Sequence, residues 1–111
     1  MENENSSKDG RGPVEEMELE ELRAEIESVD RELVELINRR TEIAKTVAAV
    51  KEAKGISLND EDQIARVVER AGENAEEFGL DVNLVKTIFR LLIQLNMVVE
   101  YQRKIDMLSE E

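Results

Sequence analysis

The sequence predicts an all-α protein with three helices per chain, one long, one short and one of medium length, intertwined with a second copy as a helical homodimer. Three observations predict this. Hydrophobic residues make up 41% of the 111 residues but aromatic residues only 3%, with a single Pro and five Gly. Such a chain buries Leu, Ile, Val and Ala on helices, and few of its residues favour strands or tight hairpins. Apolar residues also recur at alternating steps of three and four over more than four heptads, which is an a/d seam. Finally, a helix of roughly 38 residues would be about 57 Å long, far beyond the roughly 13 Å radius of gyration of a compact domain of this size. A helix of that length needs cover from a second chain, and a core this small is marginal alone.

Residues 1–14 are polar, contain Gly10, Gly12 and Pro13, and show no periodicity, so they are predicted to be a disordered tail. The helical domain is predicted over 15–108, with helices near 15–54, 61–78 and 82–107. The first carries Leu19, Leu22, Ile26, Val29, Leu33, Leu36, Arg40, Ile43, Val47 and Val50 on its seam and stops at Gly55. Asp60 followed by Gln63 predicts a capping box that opens the second helix. Ile64, Val67, Val68, Ala71, Ala75 and Phe78 give that helix one apolar face, and Gly72 within it is tolerable if another helix packs closely there. Gly79 ends it. Asp81 caps the third helix, whose Leu84, Val85, Ile88, Phe89, Leu91, Leu92, Ile93, Leu95, Val98 and Val99 cover most of its circumference and predict a central, buried position.

The net charge of -12, from 27 acidic against 15 basic residues, argues against nucleic acid or an anionic membrane as partner. The chain has no Cys and no His, so thiolate chemistry, His-based triads and His-ligated metal sites are excluded together. Neither a metal nor another cofactor is expected. The N-terminus has no apolar segment of the signal-peptide kind, and no uninterrupted apolar run approaches the roughly 20 residues of a membrane helix. The expected location is cytoplasmic.

Against this background several polar residues stand out. Arg40 interrupts the apolar seam, and Lys51 follows eleven residues later, within about 20° around the helix and roughly 16 Å along it. Arg23 precedes Arg40 by seventeen residues, about 100° round the helix and roughly 25 Å away, so it could reach such a pocket only from the partner of a crossed or antiparallel dimer. Asn96 and Glu100 lie four apart on one face of the third helix. Each has a plainer explanation: Arg40 could fix dimer register against a Glu, Lys51 and Arg23 could be solvated, Asp60 could simply cap, Asn96 could bond within the core, and Glu100 could pair with Lys104. Taken together they suit a small anion with more than one carboxylate, since Arg favours bidentate carboxylate recognition.

From about Leu19 to Gln102 the chain resembles the small all-helical chorismate mutases. The resemblance rests on LRAEIESVDRELVELINRRTEIAKTVAAVK, on the GISLND connection and on LDVNLVKTIFRLLIQLN. It implies an intertwined homodimer with two equivalent sites, which rearrange chorismate to prephenate on the way to phenylalanine and tyrosine. It further implies that Arg23 crosses the dimer to a substrate carboxylate and that Arg40 clamps a carboxylate within its own chain. Lys51 would donate to the ether oxygen and a carboxylate, and Asp60 would hold the hydroxyl. Asn96 would support a carboxylate, and Glu100, protonated, would face the ether oxygen. Where the family usually shows an Arg followed by a Glu, this chain has Gln63 and Ile64; Gln63 still donates a hydrogen bond, Ile64 joins the apolar face, and Arg66 one turn later is a candidate replacement cation. Two alternatives remain: an isochorismate–pyruvate lyase on the same fold, and a non-catalytic helical dimerisation or regulatory module.

Overall fold

The computed structural model describes residues 16–109 and consists of three helices. Helix α1 spans Glu16–Lys54, α2 spans Glu61–Glu77 and α3 spans Val82–Ser109, each within one or two residues of its predicted limits. The predicted tail over 1–14 lies outside the described residues. The chain divides into two compact units between Leu36 and Ile37, and α1 contributes to both.

The helix ends follow from local chemistry. At the end of α1, Ile56 N–H donates to Lys51 C=O at 2.8 Å and Gly55 N–H to Glu52 C=O at 3.2 Å. At the end of α2, Leu80 N–H donates to Ala75 C=O at 2.8 Å and Gly79 N–H to Glu76 C=O at 3.1 Å. These are paired Schellman closures, and they require the left-handed backbone that Gly55 (φ 70°) and Gly79 (φ 71°) supply. At the helix starts, Asp60 Oδ1 accepts from Gln63 N–H at 3.0 Å and Asp81 Oδ1 from Leu84 N–H at 2.9 Å.

The predicted capping box is only half made. Gln63 Oε1 accepts from Arg66 Nε at 3.2 Å, so the Gln63 side chain is turned along α2 toward a charged donor one turn on.

In the second unit α2 packs against α3. Val68, Ala71, Gly72 and Ala75 are buried on α2. A Cβ at Gly72 would meet Val82 Cγ1 at 3.3 Å and would displace the flexible end of Lys86, whose Cε lies 2.5 Å away, so α3 passes close to this point. Lys86 then reaches Glu69 at 3.7 Å, and Arg103 of α3 reaches Glu52 of α1 at 3.2 Å.

Two expectations about burial need correction. Phe78 is 74% exposed rather than part of the α2 core, because it occupies the C-cap where the chain leaves the packed face. Helix α3 is not enclosed within one chain: Leu84, Ile88, Leu91 and Val98 are all more than half exposed, and Asn96 is its only fully buried residue. A helix apolar nearly all round presents more apolar surface than one packed neighbour covers. Helix α3 also proves long and apolar enough, by length and composition, to cross a membrane, although its sequence has no uninterrupted run of that length. Its apolar average tolerates the polar residues that the fold uses, Asn96 above all.

Candidate active site

The second unit holds a cavity of about 340 Å³ between its three helices, within the usual size range of small-molecule sites. Arg40 and Lys51 of α1, Asp60 and Gln63 at the start of α2, and Asn96 and Glu100 of α3 all line it. Six of the seven residues singled out from the sequence therefore meet around one space. The seventh, Arg23, belongs to the other unit and is exposed on α1. Ile43, Val47, Leu58, Ile64, Val67 and Ile93 supply the apolar remainder of the lining. Ile64 is part of the wall, in keeping with its place on the apolar face of α2.

Arg40 is positioned by a relay. Its Nη1 donates to Asn96 Oδ1, Asn96 Nδ2 donates to Thr41 Oγ1 at 2.9 Å, and Thr41 Oγ1 donates to Ile37 C=O at 2.8 Å. Asn96 is only 5% exposed, so an unpaired amide there would be costly; the relay satisfies it and fixes which end of the amide faces Arg40. One Asn96 N–H remains for a ligand. Thr41 was not foreseen. Hydroxyls in helices commonly bond their own backbone, and its partner Asn96 lies 55 residues away, so local pattern gives no sign of the pair.

Lys51 occupies the last turn of α1, where the helix dipole favours a cation. Glu100 is half-buried, and burial pushes its carboxyl above the usual range while the Lys51 ammonium pulls it part of the way back. No ion pair joins Glu100 to Lys104 among the described residues, so Lys51 is the cation that acts on it.

Arg66 is turned to Gln63 and does not line the cavity, whereas Arg70 does. The signal for Arg70 is its place three residues after Val67 and six after Ile64, on the face of α2 that starts from the Asp60 cap, although that spacing alone does not choose it over Arg66. Arg66, three residues from Gln63 and four from Arg70, passes the same spacing test, and only the structure turns it to Gln63. The lining contains no hydroxyl, thiol or imidazole, and among the described residues no group of three or more acidic, His or Cys side chains could hold a metal.

A cavity lined by three cations and a raised carboxyl, without hydroxyl, thiol or imidazole, suits a small anion. Residues 22–102 match the family described as chorismate mutase type II. The chain belongs to that family. Over 84 residues it is 32% identical to a chorismate mutase of Methanocaldococcus jannaschii, covering 76% of this chain and 85% of the relative. It is 28% identical over 79 residues to a 4-amino-4-deoxychorismate mutase of Streptomyces venezuelae, covering 71% and 77% of the two chains. A T-protein of Haemophilus influenzae is 29% identical over 84 residues, but this chain spans only 22% of it. The chorismate mutase reading of the sequence is thus borne out, as are the all-helical fold and an isomerase acting on chorismate.

Proposed function

We propose that the cavity of the second unit is where chorismate is held and rearranged to prephenate, and that a second copy of the chain completes the site. The carrying observation is that Arg40, Lys51 and Glu100 line one cavity, with Arg40 anchored through Asn96 and Glu100 raised by burial. In the rearrangement one C–O bond breaks as a C–C bond forms, without proton transfer or covalent intermediate. The protein's tasks are to hold the dianion in a reactive chair and to stabilise charge growing on the ether oxygen.

Arg40 clamps one carboxylate, and Asn96 both orients Arg40 and offers its remaining N–H. Lys51 donates to the ether oxygen and to a carboxylate. Glu100 donates to the ether oxygen in its protonated form. Asp60 accepts from the substrate hydroxyl, and Gln63 contributes a neutral hydrogen bond. A donor aimed at a developing oxyanion is worth about 10²–10³ in kcat, which sets the expected loss for Lys51→Ala.

The homodimer is supported by the apolar side chains that a single chain leaves bare. On the N-terminal unit Ile26, Val29, Leu33 and Leu36 are each more than half exposed, at the seam spacing of α1. On α3 of the second unit Leu84, Ile88 and Leu91 are likewise bare. Apolar side chains left bare in rows along a helix mark a surface for a partner. In this assembly Arg23 enters the site of the opposite protomer and meets a substrate carboxylate.

The test is loss of chorismate absorbance with purified protein, with products identified at the end point. Saturable conversion to prephenate supports the assignment; pyruvate with salicylate from isochorismate would replace it by the lyase reading, and no turnover of either would leave a non-catalytic dimer. Because one relative is named for 4-amino-4-deoxychorismate, that substrate belongs in the same assay.

A further inference from the structure

We propose that Arg70 binds a substrate carboxylate from the α2 wall of the cavity, supplying the cation that neither Gln63 nor Arg66 provides. The inference rests on the cavity being the mutase site. A dianion with two separated carboxylates needs positive charge on more than one wall. Arg40 and Lys51 both come from α1, and each already has a task within the protein: Arg40 donates to Asn96, and Lys51 acts on Glu100. On α2 the cavity meets neutral Gln63, apolar Ile64 and Val67, and then Arg70.

Arg70 is free to serve. Its neighbours on α2 include Glu69 and Glu73, yet no hydrogen bond or ion pair engages its guanidinium among the described residues. Glu69, adjacent in sequence, faces away from Arg70 and pairs with Lys86 at 3.7 Å. Glu73, three residues on, is the one Glu at helical spacing from Arg70, and a pair there would be too weak to hold the guanidinium from a ligand. Here the side chain lies at a cavity, two turns and about 10.5 Å along the axis from Gln63. Its planar fork matches a carboxylate by two parallel hydrogen bonds, which Gln63 cannot offer. Charge balance agrees. The lining holds the cations Arg40, Lys51 and Arg70 against Asp60 and Glu100. With Glu100 protonated the lining of one chain carries two net positive charges, and Arg23 of the second copy adds a third when it enters the site, so the pocket favours a dianion.

The experiment compares wild type, Arg70→Ala, Arg70→Lys and Arg66→Ala by steady-state kinetics on chorismate at several ionic strengths. Losing charge-assisted hydrogen bonds to a carboxylate should raise KM about 10–100-fold in Arg70→Ala, with kcat changed far less. Its KM should also depend less on salt than that of the wild type, since one charge contact is gone. Arg70→Lys should recover part of the affinity, and Gln63→Arg in the Arg70→Ala background should recover more by restoring a cation to the same wall. Arg66→Ala should change KM by less than about threefold. A wild-type enzyme that turns over chorismate while Arg70→Ala keeps its KM and salt dependence overturns the Arg70 assignment alone. A wild-type protein that does not turn over chorismate overturns the site reading and this inference with it. Equal losses in Arg70→Ala and Arg70→Lys, together with a lowered unfolding midpoint in both, would make Arg70 structural and also overturn the proposal.

Discussion

Replacing Glu100 by Gln removes a titrating carboxyl and leaves a hydrogen-bond donor in its place. In the wild type, burial raises the Glu100 carboxyl, and the Lys51 ammonium opposes that rise without cancelling it. If the protonated form donates to the ether oxygen, activity is full below the raised pKa and falls as pH rises through it. Beyond that point the protonated fraction drops about tenfold per pH unit, so log(kcat/KM) should descend with a slope near minus one. Glu100→Gln keeps its N–H at every pH and should give a flat profile there, overtaking the wild type by about tenfold for each further unit. Lys51→Met removes the attraction that lowers the Glu100 pKa. Its residual activity, about 10²–10³ below wild type, should therefore keep the descending limb but at higher pH. The same shift acts on stability. A carboxyl whose folded pKa exceeds its unfolded value contributes most below the ordinary carboxylate pKa, and that contribution is lost as pH rises through the folded one. The unfolding midpoint of the wild type should fall over that window, and Glu100→Gln should flatten the fall. Kinetics across pH with both variants is the assay. An unchanged descending limb in Glu100→Gln would refute the reasoning, because another group would then own the titration.

Three further outcomes follow from the packing. Thr41→Val strands the Asn96 Nδ2–H in a buried position and should cost about 1–3 kcal/mol by urea unfolding, with kcat/KM falling as Arg40 loses its anchor. Gly79→Ala places a Cβ on a backbone at φ 71° and should cost about 1 kcal/mol by the same measurement, with KM unchanged. Leu33→Glu puts a charge on the bare seam of α1, where Leu33 is 52% exposed in one chain. Sedimentation should show dissociation to monomers with loss of turnover, and a monomeric wild type would end the dimer proposal.

The resemblance and the polar misfits located most of the cavity in advance, and the residues show why. Arg40 and Lys51 share one helix, so their alignment follows from 3.6 residues per turn alone. Asp60 is tied to the start of α2 by its own capping bond to Gln63 N–H, three residues on. Asn96 and Glu100 share a face of α3 for the same reason as the α1 pair. The sequence pointed to Arg66 and passed over Arg70. Both lie on α2 within reach of an opening, and only the orientation of that helix against α1 and α3 puts Arg70 at the cavity and Arg66 beside Gln63.

The sequence by itself determined the helices and their ends. Gly55 and Gly79 supply the left-handed closures, Asp60 and Asp81 the caps, and every one of those bonds spans five residues or fewer. Local steric and hydrogen-bond rules act over that range, so they can be read directly from the chain. Only the tertiary structure decided that Arg40 is held by Asn96, that Asn96 is oriented by Thr41, that Glu100 is desolvated beside Lys51, and that Arg70 remains free at the cavity. Those facts depend on which face each helix turns to its neighbours. That choice is made by non-local packing, of which the period of a single helix carries no record.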